Sequence, residues 1–198
     1  VQSIILDAAY WQQRYTSGNK QWDIGTISQP LKAYFDQLLD KNVSILIPGC
    51  GNGYEAKYLL STAFNNVTVI DIVSDLVTHL SEELTNYGNK FKGICGDFFT
   101  LNGKYDLIVE QTFFCALQPN LRQAYAEKMK SLLTPNGKLV GLLFNRNFEQ
   151  DGPPFGGDLL AYQTLFQPHF SSITMLPCYN SIAPRAGKEL FIKLSQNK

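Results

Sequence analysis

From residue 43 onward, short apolar runs rich in β-branched residues alternate with longer stretches of helical period, and no other feature restricts the fold as strongly. Successive units of this kind specify βαβ crossovers, because a parallel strand can be reached only through a connection about as long as a helix. Strands are predicted at 43–47, 67–70, 91–94, 105–109, 138–143, 173–176 and 190–193. Between them, helical signals cover 54–60, 76–84 after Ser74, and 121–133, the last ended by Pro135-Asn136-Gly137. A polar stretch, not a helix, separates the last two strands, which predicts a closing hairpin. The expected architecture is therefore α/β, with a seven-stranded, mostly parallel sheet whose last strand is antiparallel.

A chain of 198 residues supports one compact domain with a sizeable core. Residues 43–198 carry the strand–helix pattern, and 1–30 form a separate segment in which Tyr10, Trp11, Tyr15 and Trp22 are punctuated by Gly18 and Gly25. This aromatic segment is expected to cap the sheet. Lys+Arg and Asp+Glu are balanced at 17 each, so no basic field is available for nucleic acid or an anionic membrane. Apolar runs fall short of the ~20 residues of a membrane span. Cys50, Cys95, Cys115 and Cys178 are widely spaced and form no C-x-x-C pair, as expected of reduced thiols. The reading is a cytoplasmic monomer acting on a small molecule.

The strongest local signal is Ile45-Leu46-Ile47-Pro48-Gly49-Cys50-Gly51-Asn52-Gly53, an apolar strand running into a glycine turn and then a helix. Gly49 and Gly51 allow a ligand to lie against the backbone and permit φ values that other residues reach only with strain. Asp71 ends the next strand, 18 residues after Gly53 and just before Ile72, where a carboxylate can accept two hydrogen bonds from a ribose diol. It could equally serve as charge at the start of the following helix. Gly96-Asp97-Phe98-Phe99 follows the third strand and offers a carboxylate and an aromatic face to adenine, while Glu110-Gln111-Thr112-Phe113-Phe114 ends the fourth. In an open α/β sheet all these positions meet outside the carboxyl ends of the strands. The third glycine comes two positions after the second, not three as in the dinucleotide fingerprint, and Glu55 in the first helical turn would repel a pyrophosphate. S-Adenosylmethionine is thus preferred to a nicotinamide dinucleotide.

These blocks resemble the thiopurine methyltransferase family, and most nearly its plant-type halide and thiol methyltransferases. The likeness rests on Trp11-x-x-x-Tyr15-x-x-Gly18-x-x-x-Trp22-Asp23-x-Gly25, on Pro48-Gly49-Cys50-Gly51, on Gly96-Asp97-Phe98-Phe99 and on Gly152-Pro153-Pro154-Phe155, and it extends to Arg185-x-Gly187-Lys188-Glu189. It implies a class I S-adenosylmethionine-dependent methyltransferase (Rossmann-like) fold, with S-adenosylhomocysteine as product. It further implies a donor site made by Trp11, Tyr15, Trp22, Gly49, Gly51, Asp71, Ile72, Asp97, Phe98 and Gln111. Tyr15 stands where relatives more often carry Trp, and Phe144 and Phe155 where plant relatives carry Tyr.

A soft acceptor such as thiolate, thiocyanate or halide needs no general base, and no catalytic or metal-ligating set is predicted. His79 and His169 belong to no nucleophile arrangement. Arg185, Phe144 and Phe155 are the candidate acceptor residues. The alternatives are a non-catalytic module that only binds the donor, and a methyltransferase for another small molecule.

Overall fold

The computed structural model describes residues 4–196, so the outermost positions of the 1–30 and 43–198 segments lie outside it. Seven strands form one sheet: β1 (Ile45–Pro48), β2 (Val67–Asp71), β3 (Phe91–Cys95), β4 (Tyr105–Gln111), β5 (Leu133–Phe144), β6 (Ser172–Pro177) and β7 (Glu189–Ser195). Their order is β3-β2-β1-β4-β5-β7-β6, with β7 antiparallel to both β5 and β6 and every other pairing parallel. The predicted class and the single antiparallel strand are both present.

Among the described residues six α-helices accompany the sheet: α1 (Ala8–Thr16), α2 (Gln29–Asp36), α3 (Tyr54–Ser61), α4 (Ser74–Glu83), α5 (Arg122–Leu132) and α6 (Leu159–Phe166). The period-two alternation of the strands decides which layer each side chain joins. Ile45, Ile47, Val67 and Val69 point into a core shared with Leu31 and Phe35 of α2, Leu59 of α3 and Leu80 of α4. Leu46, Ile70 and Ile108 point the other way, into a core with Tyr125 and Met129 of α5 and Phe166 of α6. Helices on both faces bury the central strands completely, which is why β1 reads as an unbroken apolar run.

Four local features differ from the sequence expectation. Pro135-Asn136-Gly137 does not cap a helix: α5 ends at Leu132, and β5 starts at once with a register shift opposite Tyr105–Leu107. A Cβ on Gly137 would stand 2.8 Å from the Tyr105 carbonyl oxygen, so this glycine serves close strand approach. Helices α1, α2 and α6 were not predicted. Asp7 caps α1 by accepting from the Tyr10 N–H at 2.9 Å, and Asp158 caps α6 through the Ala161 N–H at 2.9 Å.

Between β1 and β4 the strand order reverses, and this switch point opens a crevice at the carboxyl ends of the strands. The sheet beside it is tightly packed. A Cβ on Gly141 in β5 would collide with the backbone carbonyl and Cβ of Glu110 in β4. Gly141→Ala is expected to destabilise the fold by about 3 kcal/mol or more through overpacking; urea denaturation checks this, and a loss within error of zero contradicts the packing described.

Candidate functional site

A cavity of about 1720 Å³ occupies the switch-point crevice, walled by the strand ends below and by residues 4–26 above. All the predicted site residues line it except Phe155. Gly49 follows β1, Asp71 ends β2, Asp97 follows β3, Gln111 ends β4 and Phe144 ends β5, so the parallel strands deliver their chemistry to one rim.

The glycine turn is held in a left-handed backbone, with φ of 59° at Gly49 and 51° at Gly51. A Cβ on Gly49 would run into the Phe113 ring, and one on Gly51 would stand 2.6 Å from the Tyr15 hydroxyl. Asp71 fastens this turn. Its Oδ2 accepts from the Gly51 N–H and its Oδ1 from the Val73 N–H, both at 3.0 Å. The two sequence readings of Asp71 therefore coexist: it ties down the start of α4 and faces the cavity with lone pairs left over. Burial raises its pKa, against the opposing pull of the Val73, Gly51 and Ile72 N–H groups.

Polar ties stitch the aromatic segment to the rest of the chain, two of them flanking its rings. Asp23 accepts from the Gly25 N–H at 2.8 Å and from Asn52 Nδ2 of the glycine turn at 2.6 Å, and pairs with Lys20 at 2.9 Å. Across 163 residues, Arg185 Nη2 donates to the Trp22 carbonyl at 2.8 Å. Arg185 is itself buried, 3.4 Å from Glu189 and with its guanidinium carbon 5.4 Å from the centre of the Phe144 ring. Between these ties Trp11, Tyr15 and Trp22 pack edge to face, with Trp22 5.6 Å from each of the others. The Tyr15 hydroxyl accepts from Trp22 Nε1 at 3.4 Å.

Glu110 was grouped with Gln111 in the sequence, yet its role could not be read there. Wholly buried, it accepts from the Phe113 and Phe114 N–H groups at 2.8 and 2.9 Å and from the Tyr125 hydroxyl at 2.6 Å. These bonds anchor the turn where Thr112 takes φ 58°, an uncommon value for a residue with a Cβ. On the same turn Gln111 Oε1 is buried without a hydrogen-bond partner. An orphan acceptor on a cavity wall suits a ligand that brings a donor.

Two expectations change. The Phe98 ring is only 4% exposed and packs against Phe99, Phe113 and Tyr125, so it is committed to the core, and the half-buried Phe99 beside it also lines the cavity. Phe155 lies off the cavity because its N–H donates to the Cys115 carbonyl at 2.7 Å and draws the chain inward; Pro153 and Pro154 supply the wall instead. His79 and His169 do not line the cavity. Among the described residues no cluster of His, Cys, Asp or Glu is placed to hold a metal ion, and no helix is long and apolar enough to cross a membrane.

The model of the family described as thiopurine S-methyltransferase matches residues 6–189, which takes in the aromatic rings of the N-terminal segment, the strand ends at the cavity rim and the chain as far as the start of β7. The chain belongs to this family. Among its relatives, the probable thiol methyltransferase 2 of Arabidopsis thaliana is 30% identical over 90% of this chain and 81% of its own length. Thiocyanate methyltransferase 1 of Brassica oleracea is 29% identical with the same coverage, and a thiopurine S-methyltransferase of Pseudomonas syringae is 26% identical over 76% of each chain. Among solved structures, the 1,6-didemethyltoxoflavin-N1-methyltransferase of Burkholderia thailandensis, with 1,6-didemethyltoxoflavin and S-adenosylhomocysteine bound, superposes with a TM-score of 0.71 over 100% of this chain and 94% of that one at 17% identity. The chain thus belongs to a methyltransferase family and shares its fold with a solved methyltransferase that holds S-adenosylhomocysteine.

Burial, opposed by the Tyr125 hydroxyl and two backbone N–H groups, pushes Glu110 from its ordinary 4.5 up to about 7. Between those values the folded form holds a proton that the unfolded chain has lost, so stability falls as pH rises from 4.5 through 7. The loss from this one group is on the order of 3 kcal/mol. Glu55, also raised to about 7 chiefly by burial, adds to the same slope. Glu110→Gln is expected to flatten the decline measured by denaturant titration between pH 5 and 7.5 (roughly the interval from the ordinary to the raised value); an unchanged slope contradicts the assignment.

Proposed function

We propose that this chain transfers a methyl group from S-adenosylmethionine to the sulfur of a small thiol, thiopurine or thiocyanate, or to a halide, as a single-domain cytoplasmic monomer without nucleic-acid or membrane partners. The observation that carries the reading is the convergence in one cavity of Asp71, with unused lone pairs, the orphan acceptor of Gln111 and the Trp11–Tyr15–Trp22 wall. Relatives named for thiol, thiocyanate and thiopurine transfer support the choice of acceptor.

In this reading Asp71 accepts from the ribose hydroxyls, and Gly49 and Gly51 let the methionine part lie against the backbone. Ile72, Asp97 and Phe99 bound the adenine, with Phe98 packed behind them in the core, and Gln111 accepts a hydrogen bond through its free Oε1. The donor supplies an electrophilic methyl on a sulfonium, which an acceptor lone pair displaces in line as the carbon–sulfur bond to the donor breaks. An aromatic face of the Trp11, Tyr15 and Trp22 wall attracts that positive charge by roughly 0.5 to 2 kcal/mol, and the wall keeps water out. A thiolate or halide needs no proton removed at the moment of transfer, so the chain's contribution is alignment, which can lower the barrier by about 7 to 11 kcal/mol.

The volume exceeds that of a typical drug-sized pocket, leaving room for an acceptor beside the donor. Phe144 forms the acceptor wall with Pro153 and Pro154. Arg185 stands next to it, and because it also holds the Trp22 carbonyl, acceptor and donor halves share this one guanidinium. Phe155 stays out of the assignment.

Incubation with methyl-labelled donor against iodide, thiocyanate, hydrosulfide, aromatic thiols and a thiopurine tests the function. Transfer to one or more is expected; tight donor binding without transfer to any would favour the non-catalytic module. Asp71→Ala is expected to weaken S-adenosylhomocysteine binding by ~1.5 to 3 kcal/mol, measured by calorimetry. Unchanged affinity would remove Asp71 from the donor site.

A further inference from the structure

We propose that Arg14 is the carboxylate ligand for the amino-acid end of the methyl donor, an inference that rests on the donor-binding reading above. In α1, Tyr10 and Arg14 are four apart, as are Trp11 and Tyr15, so one helix face turns all four toward the cavity they line. The Arg14 guanidinium carbon lies 5.8 Å from the Tyr10 ring centre and 5.5 Å from that of Trp22. Its Nε is buried and has no hydrogen-bond partner, and among the described residues Arg14 takes part in no ion pair.

Among the described residues no carboxylate of the cavity wall pairs with this cation, and the three at the rim beside the proposed donor site are engaged elsewhere. Asp23 holds Lys20 and Asn52, Asp71 holds Gly51 and Val73, and Asp97 accepts from the Phe99 N–H at 2.9 Å. A half-buried guanidinium with a vacant Nε–H is suited to an incoming carboxylate. The usual resting place for an anion in such a fold, the N-terminus of the helix after the glycine turn, already carries the buried carboxyl group of Glu55. A donor carboxylate is thereby directed away from α3 toward α1. The next residue of α1 reaches the same turn, since the Tyr15 hydroxyl sits where a side chain on Gly51 would be. Arg14 thus flanks the part of the cavity assigned to the methionine moiety, and no acceptor residue is needed to satisfy it.

Calorimetric titration with S-adenosylhomocysteine and with 5′-methylthioadenosine, an adenosyl thioether lacking the amino-acid group, isolates the carboxylate. Arg14→Gln is expected to weaken S-adenosylhomocysteine binding about 10- to 100-fold while leaving 5′-methylthioadenosine affinity within about twofold, and Arg14→Lys to restore part of the loss. Thermal melting of each variant accompanies the titration, and an unshifted midpoint is expected. Equal weakening of both ligands overturns the inference, because that pattern reports a displaced aromatic wall. Unchanged S-adenosylhomocysteine affinity also overturns it, including the case in which only the KM of a carboxylated aromatic thiol rises and the anion belongs to the acceptor. Failure of the wild-type chain to bind either ligand would strike the donor reading itself.

Discussion

The bond from the Gly51 N–H to the Asp71 carboxylate is the joint on which the site depends. It joins the turn after β1 to the end of β2, and the Val73 bond on the other oxygen fixes the start of α4 at the same time. A buried carboxylate costs several kcal/mol of desolvation unless it is hydrogen-bonded, and two backbone donors offset that cost without using every lone pair. The turn is thereby held in its left-handed shape while the carboxylate still faces the cavity. Structural and ligand roles need not compete for one side chain when the acceptor has four lone-pair sites.

A second carboxylate repeats this logic two strands over. Glu110 spends all its hydrogen bonds inward, on Phe113, Phe114 and Tyr125, and so anchors a turn with a strained Thr112 without reaching ligand. Above the rim, Asp23 and Arg185 play the corresponding part for the aromatic segment, one from the glycine turn and one from the final hairpin. The pocket is consequently bounded by parts far apart in sequence, each pinned by a charged group bonded to backbone or amide. Such bonds in a low-dielectric setting are strong and directional, which suits a site whose work is alignment.

The sheet could be read from the chain because its central strands are apolar on both faces and its turns carry glycine or a lone carboxylate; Ile45 to Ile47 and Asp71 are cases of each. Helix α1 leaves no core-facing pattern in the sequence because it buries no residue, and its aromatic face covers a cavity, not a core. Helix α6, Leu-Leu-Ala-Tyr-Gln-Thr-Leu-Phe, has apolar residues around most of its circumference and gives little contrast for a periodicity to show. For α2 the signal was present in Ser28, Pro30, Leu31 and Phe35 but was overshadowed by the strand pattern that follows. At the site, residue types could be named but not their direction: Phe98 turns into the core, Phe155 follows its backbone bond to Cys115, and Arg185 serves the Trp22 carbonyl as well as the acceptor side. Direction depends on contacts between distant segments, which no local pattern encodes.

The account requires that the carboxylate holding the glycine turn also hold the ribose. A crystal structure of the chain with S-adenosylhomocysteine tests this directly: both ribose hydroxyls are expected within hydrogen-bond distance of the Asp71 oxygens, roughly 2.5 to 3.0 Å, with the Gly51 and Val73 bonds intact. A ligand whose ribose lies elsewhere in the cavity, with Asp71 bonded to backbone alone, contradicts it.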